Sequence, residues 1–221
     1  GDAGLAETLL TLRRAKGQTA GAGRDRDEAA APAVLTTAKG RVLVFSLGAA
    51  SSGIPPDWAA ATGQPGVNLL PDFSDATLRQ IAAQVKAVKH PGDVVVASIH
   101  WGDNWGYAVP AAHQAFAHGL VDQCGVDVVH GHSSHHPLGI EVYRERPILY
   151  GCGDFLNDYE GIGGHEAYRG DLSLMYFMNV DPASGKLLRL WMIPMQIGRF
   201  RLKRASAEDA RWLREVLDRE G

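Results

Sequence analysis

The feature that most constrains the fold is a pair of short β-branched runs separated by a helical pattern. Residues 94–99 and 126–129 are apolar runs of strand length, and the segment between them opens at Pro110 and stops at Gly125 with helical apolar spacing. Strand, helix and strand in that order form a βαβ unit. Near-continuous apolar strands are typical of a parallel sheet covered on both faces. The sequence therefore predicts an α/β (α+β) core.

Further helices and strands are predicted on both sides of this unit. Helices are expected over residues 5–14, 25–31, 74–89 and 206–218, and strands over 41–46, 140–143, 147–150, 172–180 and 187–197. The segment 47–73 is expected to be irregular, because prolines and glycines interrupt it. No repeat, linker or low-complexity tract divides the chain, so we predict a single domain over residues 1–221.

Composition and charge exclude few classes of binding partner. The net charge is −3 and the pI is near 6.3, so no overall field favours nucleic acid or an anionic membrane. A basic cluster at 199–204 is expected to be a solvated strand edge or loop rather than a phosphate contact. Cys124 and Cys152 are expected to be buried free thiols, with a disulfide between them left open. No apolar run approaches the roughly 20 residues that span a bilayer.

Histidines concentrate where the two apolar runs end. His132 and His135 follow the second run within the segment 131–137, and His100 follows the first. Strand ends are where α/β folds place their chemistry, and imidazole is the commonest protein metal ligand. These three residues are therefore the candidate metal ligands, and His100 and His132 are also candidate proton donors if they do not bind metal. The other histidines are expected in supporting, solvated or helix-terminal positions: His90, His113, His118, His130 and His136.

A third polar concentration follows the predicted strand 147–150. It contains Asp154, Asn157 and Glu160, and His165 lies just beyond it. One interpretation is a capped, hydrogen-bonded loop, where Asp and Asn are common. The other is a third wall of the same cleft, with these side chains contacting substrate. Three residues near the histidines are expected to share that role: Asp103, Asn104 and Ser133.

The motifs together resemble a known family. Their order is strand, His-Trp-Gly at 100–102, helix, strand, Gly-His-x-x-His at 131–135, strand, and Gly-x-Gly-Asp-Phe-x-x-Asp at 151–158. In this combination the chain resembles the bacterial capsule-synthesis CapA family, the poly-γ-glutamate capsule biosynthesis proteins. That family is related in fold to the calcineurin-like metallophosphoesterases. The resemblance extends from the first residues through about Phe177.

The resemblance implies a metallophosphoesterase-like four-layer α-β-β-α sandwich with a divalent metal centre at the strand ends. His100 matches the lone histidine of the family pattern, and His132 and His135 match its paired histidines. Two ions of Mn, Fe or Zn are implied for the intact protein. Such a pair lies about 3.5–4 Å apart, generates a hydroxide and stabilises the attacking and leaving oxygens of a phosphoryl group.

Three departures from the family pattern are visible. Asn104 stands where many relatives carry glutamate, and Asp154 stands where relatives usually carry asparagine. The chain also begins without the upstream aspartates and Asn-His motif that supply further ligands in relatives. We therefore expect it to lack the first strands of the sheet and part of the metal site.

The leading functional hypothesis is a metal-dependent hydrolase of capsule or poly-γ-glutamate synthesis, acting on an anionic polymer or a phosphoester. One alternative is a non-catalytic polymer-binding or assembly subunit, and a second is hydrolysis of a γ-linked glutamyl amide. Capsule-synthesis membrane proteins are possible partners by the same resemblance, and nucleic acid is not expected. The compartment, cell envelope or cytoplasm, is left open, since any signal or anchor would lie upstream of residue 1.

Overall fold

The computed structural model describes residues 1–157 and 163–220. Within these residues the helices are α1 Asp2–Arg14, α2 Arg26–Ala30, α3 Asp75–Val88, α4 Ala111–Cys124 and α5 Ala207–Glu220. The strands are β1 Ala22–Gly23, β2 Ala33–Thr37, β3 Gly40–Ala49, β4 Gly66–Val67, β5 Leu69–Leu70, β6 Val94–His100, β7 Val128–His132, β8 Ile140–Tyr143, β9 Arg146–Leu149, β10 Leu172–Val180, β11 Leu187–Gly198 and β12 Arg201–Arg204.

Local chemistry explains where α3 and α4 begin and end. The hydroxyl of Ser74 accepts a hydrogen bond from the backbone N–H of Thr77 and so caps the first turn of α3. Helix α4 starts directly after Pro110, whose fixed φ suits a helix entrance. It ends at Gly125, which adopts the left-handed conformation with φ 68° that glycine reaches without steric cost.

The main sheet of the described residues has seven strands. Its order is β2-β3-β6-β7-β9-β8, and β5 pairs with β3 outside that path. The pairs β3–β6, β6–β7 and β7–β9 are parallel, whereas β2 and β8 are antiparallel edge strands. The parallel pairing brings the carboxyl ends of β3, β6 and β7 to one edge of the sheet.

Helices α3 and α4 cover one face of this sheet and form the main core with it. Along β6, Val95, Ala97 and Ile99 are buried under the helices. Because side chains alternate along a strand, Ser98 and His100 lie on the opposite face. The helix-covered face is therefore a packed apolar layer, and the other face carries the polar groups at the strand ends.

A second, three-stranded antiparallel sheet is formed by β10, β11 and β12. Helix α5 packs on it through Leu213, which contacts Leu172 and Leu174 of β10 in a smaller buried cluster. The turn between β10 and β11 is closed by Asp181, whose side chain accepts from the backbone of Ala183. The strands predicted over 172–180 and 187–197 are present, and they pair antiparallel.

The mixed α/β class predicted from the sequence is confirmed. Strands β1, β2, β4, β5 and β12 were not predicted, and β4 and β5 lie in the segment 47–73 that was expected to be irregular. Strand β7 begins and ends later than the expected 126–129, so that His132 lies in the strand rather than in a turn. Cys124 and Cys152 are buried and free, and burial raises the pKa of the Cys124 thiol to about 11. None of the described helices is both long enough and apolar enough to cross a bilayer.

Candidate metal centre

The candidate centre lies at the carboxyl edge of the parallel strands. The register of β6 and β7 places His100 directly beside His132, and the register of β3 and β6 places Gly48 beside His100. The position of each histidine follows from strand alternation, since neighbouring β6 residues on the other face are core residues. Parallel pairing therefore brings together two of the three predicted metal ligands.

The two imidazoles of this pair face each other through their Nδ1 atoms. The distance between Nδ1 of His100 and Nδ1 of His132 is 3.0 Å. Two nitrogens bound to one zinc ion at about 2.0–2.1 Å, with an angle of roughly 90–110° between them, lie about 2.9–3.4 Å apart. The same distance suits a hydrogen bond between one protonated and one unprotonated nitrogen. The geometry therefore fits a shared ion and also fits a direct imidazole contact.

Burial keeps this pair in the form that binds metal. Burial, followed by the proximity of His130 and His100, lowers the pKa of His132 to about 4. The pKa of His100 is also lowered, first by burial and then by His135 nearby. Both imidazoles are thus neutral at pH 7 and keep an unprotonated nitrogen available for a cation. A neutral His132 is a poor proton donor, so its environment favours the ligand role over the acid role.

His130 belongs to the same row of histidines. It lies two residues before His132 on β7, and the two ring centroids are 5.4 Å apart. Its Nδ1 is 3.0 Å from the hydroxyl oxygen of Ser98 on β6, and burial lowers its pKa. His130 thus lies beside His132 and contacts β6, and its supporting role stays a prediction.

His135, the third predicted ligand, lies in the loop after β7 and pairs with a carboxylate. Its Nδ1 is 2.8 Å from Oδ2 of Asp154, and Nδ2 of Asn157 donates to that same oxygen at 2.6 Å. A carboxylate bonded to one imidazole nitrogen fixes the tautomer and the ring orientation, as it does in many metal sites. The structure thus brings His135, Asp154 and Asn157 together, although only the histidine was predicted as a ligand.

Backbone contacts hold the loop that carries His135 against the loop after β6. The N–H of His135 donates to the carbonyl oxygen of Asn104 at 3.0 Å. The hydroxyl of Ser133 donates to the carbonyl oxygen of Gly102 at 3.1 Å, and Ser133 itself has a positive φ of 132°. Ser133 and Asn104 therefore tie the two strand-end loops together, while the Asn104 side chain is exposed.

Aromatic rings form one wall of the centre. The indole of Trp105 stacks on His165 with a centroid distance of 4.3 Å, and its centroid is 5.1 Å from that of His135. Tyr168 lies 5.7 Å from the same indole. His165 is thus brought to the site through Trp105, a residue that sequence reasoning did not single out. The sequence did contain a signal for Trp105, because an aromatic residue stands three positions after the glycine of the His-Trp-Gly motif.

Asp103 and Glu160 are the remaining predicted site residues. Asp103 is exposed in the loop after β6, and Glu160 lies outside the described residues. Across 1–157 and 163–220, no group of three or more His, Cys, Asp and Glu side chains is arranged closely enough to hold an ion. The described residues therefore supply a fitting pair of nitrogen ligands rather than a complete coordination shell.

Two histidines expected to be solvated are not. His113 on α4 is only 5% exposed, because it packs against Trp101 and Phe73. The prediction was wrong because it took the first turn of α4 as solvent-facing, whereas the loop after β6 folds over that turn. His118 is half-buried, with Nε2 2.8 Å from Oε1 of Glu141 and its ring stacked on Tyr143.

Comparison with known proteins identifies the family. Residues 1–159 match the family model described as bacterial capsule synthesis protein PGA_cap. The chain belongs to this family. The match covers both histidine-bearing strand ends of the PGA_cap chain and the segment that carries Asp154 and Asn157.

Curated relatives agree with this assignment. A probable polyglutamine synthesis accessory protein of Mycobacterium tuberculosis is 50% identical over 218 residues, which is 98% of this chain and 57% of the relative. The capsule biosynthesis protein CapA of Bacillus anthracis is 32% identical over 100 residues, covering 45% of this chain and 23% of the relative. The PGA_cap chain thus spans a little over half the length of the mycobacterial relative.

Proposed function

We propose that this PGA_cap chain carries a divalent-metal-dependent hydrolase site that acts on a phosphoester or an anionic polymer during capsule or polyglutamate synthesis. The observation that carries the proposal is the contact between His100 and His132 at the carboxyl ends of adjacent parallel strands. The names of the relatives support the biological setting. The chemistry rests on the residues of this chain.

The proposed fold is a metallophosphoesterase-like sandwich of two sheets between helices. Support comes from the face of the main sheet away from α3 and α4, where Val94 and Val96 of β6 line the same cavity as Met178 and Val180 of β10. These residues border an apolar cavity of about 360 Å³. Apolar side chains from two sheets that face each other are typical of sheet-on-sheet packing.

In the proposed site, His100 and His132 would hold the ion, since burial favours their neutral forms, each of which has an unprotonated nitrogen. We propose His135, whose ring is held by Asp154, as the third ligand, although in the described residues the three histidines are not grouped closely enough to hold an ion as they stand. A bound divalent ion would polarise a phosphoryl or carbonyl oxygen of the substrate. Trp105 and His165 form a flat wall that excludes water from one side of that position.

Metal content and turnover test this proposal together. The purified chain is loaded with Mn²⁺, Fe²⁺ or Zn²⁺, dialysed, and assayed with bis(p-nitrophenyl) phosphate and with a γ-glutamyl peptide. We expect retained metal and phosphodiester hydrolysis that EDTA abolishes, and we expect His132→Ala to lose both. His118→Ala is the matched control, because His118 is a histidine outside the centre. A wild-type chain that retains no metal, or His132→Ala behaving as wild type, contradicts the proposal.

Asp154 has a separate expected effect. Removing its carboxylate frees the His135 ring from its 2.8 Å contact. Loss of a carboxylate that orients a ligating histidine typically weakens metal binding about 10–100-fold. We expect Asp154→Ala to weaken metal binding by that factor in a competition titration, while Asp57→Ala on the exposed loop leaves it unchanged. Equal metal affinities for the Asp154→Ala variant and the wild type would show that Asp154 does not support metal binding.

A second candidate function is polymer binding without catalysis. It is favoured by the two-member ligand set in the described residues and by the exposed Asp103 and Asn104 at the edge of the site. Binding of poly-γ-glutamate that persists in EDTA, together with no hydrolysis in any metal, would favour this function. Binding that requires the metal would favour the hydrolase.

A further inference from the structure

A second pair of reactive groups lies beside the histidine centre. Ser51 is in the 3-10 turn that follows β3, and His113 is in the first turn of α4. The hydroxyl oxygen of Ser51 is 3.3 Å from Nε2 of His113. The two residues are 62 positions apart in the chain, so the contact is made by the fold and not by local sequence.

The imidazole of His113 is rigidly held. It stacks on the indole of Trp101 with a centroid distance of 4.7 Å and an interplanar angle of 3°, and it meets the edge of Phe73 at 5.0 Å. The residue is 5% exposed. Burial lowers its pKa, and the nearby Asp103 carboxylate partly opposes that shift. The ring is therefore neutral at pH 7, and Asp103 is placed to stabilise the imidazolium that forms when the ring takes a proton.

Ser51 combines exposure with a defined orientation. Its residue is exposed to solvent, and its hydroxyl oxygen accepts a hydrogen bond from the backbone N–H of Gly102 at 3.1 Å. When Nε2 is the unprotonated nitrogen of His113, that bond leaves the hydroxyl proton to be donated to it. The neighbouring Ser52 differs, because its hydroxyl is directed to the carbonyl oxygens of Ala49, at 2.7 Å, and His100, at 3.2 Å.

We propose that Ser51 is a nucleophile and His113 its general base, forming a second reactive site for carboxylic esters or amides. Ser51 Oγ attacks the carbonyl carbon while its proton passes to Nε2 of His113. The bond to the leaving group then breaks, and His113 returns the proton to the departing oxygen or nitrogen. A water molecule cleaves the resulting acyl ester, which restores the Ser51 hydroxyl and releases the carboxylic acid.

A fluorophosphonate probe tests the pair without knowledge of the natural substrate. In the labelling step the bond from Ser51 Oγ to phosphorus forms as the phosphorus–fluorine bond breaks, and the proton passes through His113 to solvent. We expect peptide mass spectrometry to place one label on Ser51. Ser51→Ala should abolish labelling, whereas Ser52→Ala, one residue away, should label at the wild-type rate. No label on the wild type, a label on another residue, or equal labelling of Ser51→Ala overturns the proposal.

Two further measurements distinguish labelling at this site from an effect of the metal centre and from loss of folding in a variant. His113→Asn should slow labelling about 100-fold or more, the usual contribution of a general base. Circular dichroism establishes that the variant is folded, and if it is not, the Ser51 and Ser52 variants still decide the question. Labelling should continue at the same rate in EDTA. A rate that falls to background in EDTA overturns an imidazole-activated serine.

Discussion

Two titratable residues at opposite ends of the parallel strands have different charge states at pH 7, for different physical reasons. His132, surrounded by other imidazoles, has its pKa lowered to about 4 and is neutral at pH 7. Asp93, at the other end of the strands, stays charged because the Arg41 guanidinium and the His90 backbone N–H bond to it and hold its pKa at about 2. His132 is thus neutral because burial disfavours its charged form, whereas Asp93 is charged because its hydrogen bonds outweigh the effect of burial.

Asp93 gives a pH prediction. Its pKa in the folded chain lies below its ordinary value near 4, so its ion pair with Arg41 stabilises the fold above about pH 4 and is lost as the pH falls toward 2. The size of that loss is roughly 2 kcal/mol. We expect unfolding in urea to show this loss for the wild type and not for Asp93→Asn. Asp57→Asn, an exposed control, should follow the wild type, and a parallel fall in Asp93→Asn would contradict the account.

The convergence of the two histidines could be predicted from the sequence, but the contacts around them could not. His100 and His132 could be predicted to converge, because carboxyl ends of neighbouring parallel strands share one edge of the sheet. The pairing of His135 with Asp154 could not, since it depends on a loop in which Ser133 takes a positive φ of 132°. The burial of His113 was missed for a similar reason: it depends on how the loop that carries Trp101 folds over the helix and on contact with Phe73, 40 residues earlier in the chain.

At the scale of secondary structure, elements with local signals were predicted and elements that depend on partners were not. Helices α3 and α4 carry their own capping residues and apolar spacing. Strand β12 is basic and exposed, and it is a strand because its backbone pairs with β11. Strand β7 extends to His132 because its backbone continues to pair with β6, although its residues there are polar. Pairing with a distant strand therefore decided these boundaries.

Gly131 is the position in β7 where a side chain has no room. A Cβ there would lie 2.2 Å from the carbonyl oxygen of Tyr150 and 2.6 Å from Nε1 of Trp101. We expect Gly131→Ala to destabilise the fold by about 2–3 kcal/mol, as overpacking of a core does, and to displace His132. Thermal unfolding measures the loss.

Gly4 in helix α1 is the matched control for that substitution. A Cβ at Gly4 meets nothing within 4 Å, and alanine is favoured over glycine inside a helix by about 0.5–1 kcal/mol. Gly4→Ala should therefore be neutral or slightly stabilising. A Gly131→Ala variant as stable as Gly4→Ala would show that β7 and β9 are less closely packed than the structure has them.

At the scale of the whole molecule, the amino and carboxyl ends of the parallel strands carry different kinds of polar side chain. The amino edge holds buried carboxylates in structural bonds: Asp127 accepts from the backbone N–H of Val95 at 2.9 Å and from Lys89 at 3.2 Å. The carboxyl edge gathers neutral imidazoles and the Ser51–His113 pair. Structural ion pairs thus lie at one end of the parallel strands, and the candidate chemistry lies at the other.

The central claim is that His100 and His132 bind one divalent ion rather than only each other. The most direct measurement is the long-range ¹H–¹⁵N spectrum of the histidine rings during titration with Zn²⁺. Nδ1 of His100 and Nδ1 of His132, 3.0 Å apart, should shift together and saturate at one ion per chain, while the nitrogens of His118 stay unchanged. If both Nδ1 signals remain at their metal-free positions in excess Zn²⁺, the pair is a hydrogen-bonded contact and the proposed metal centre is wrong.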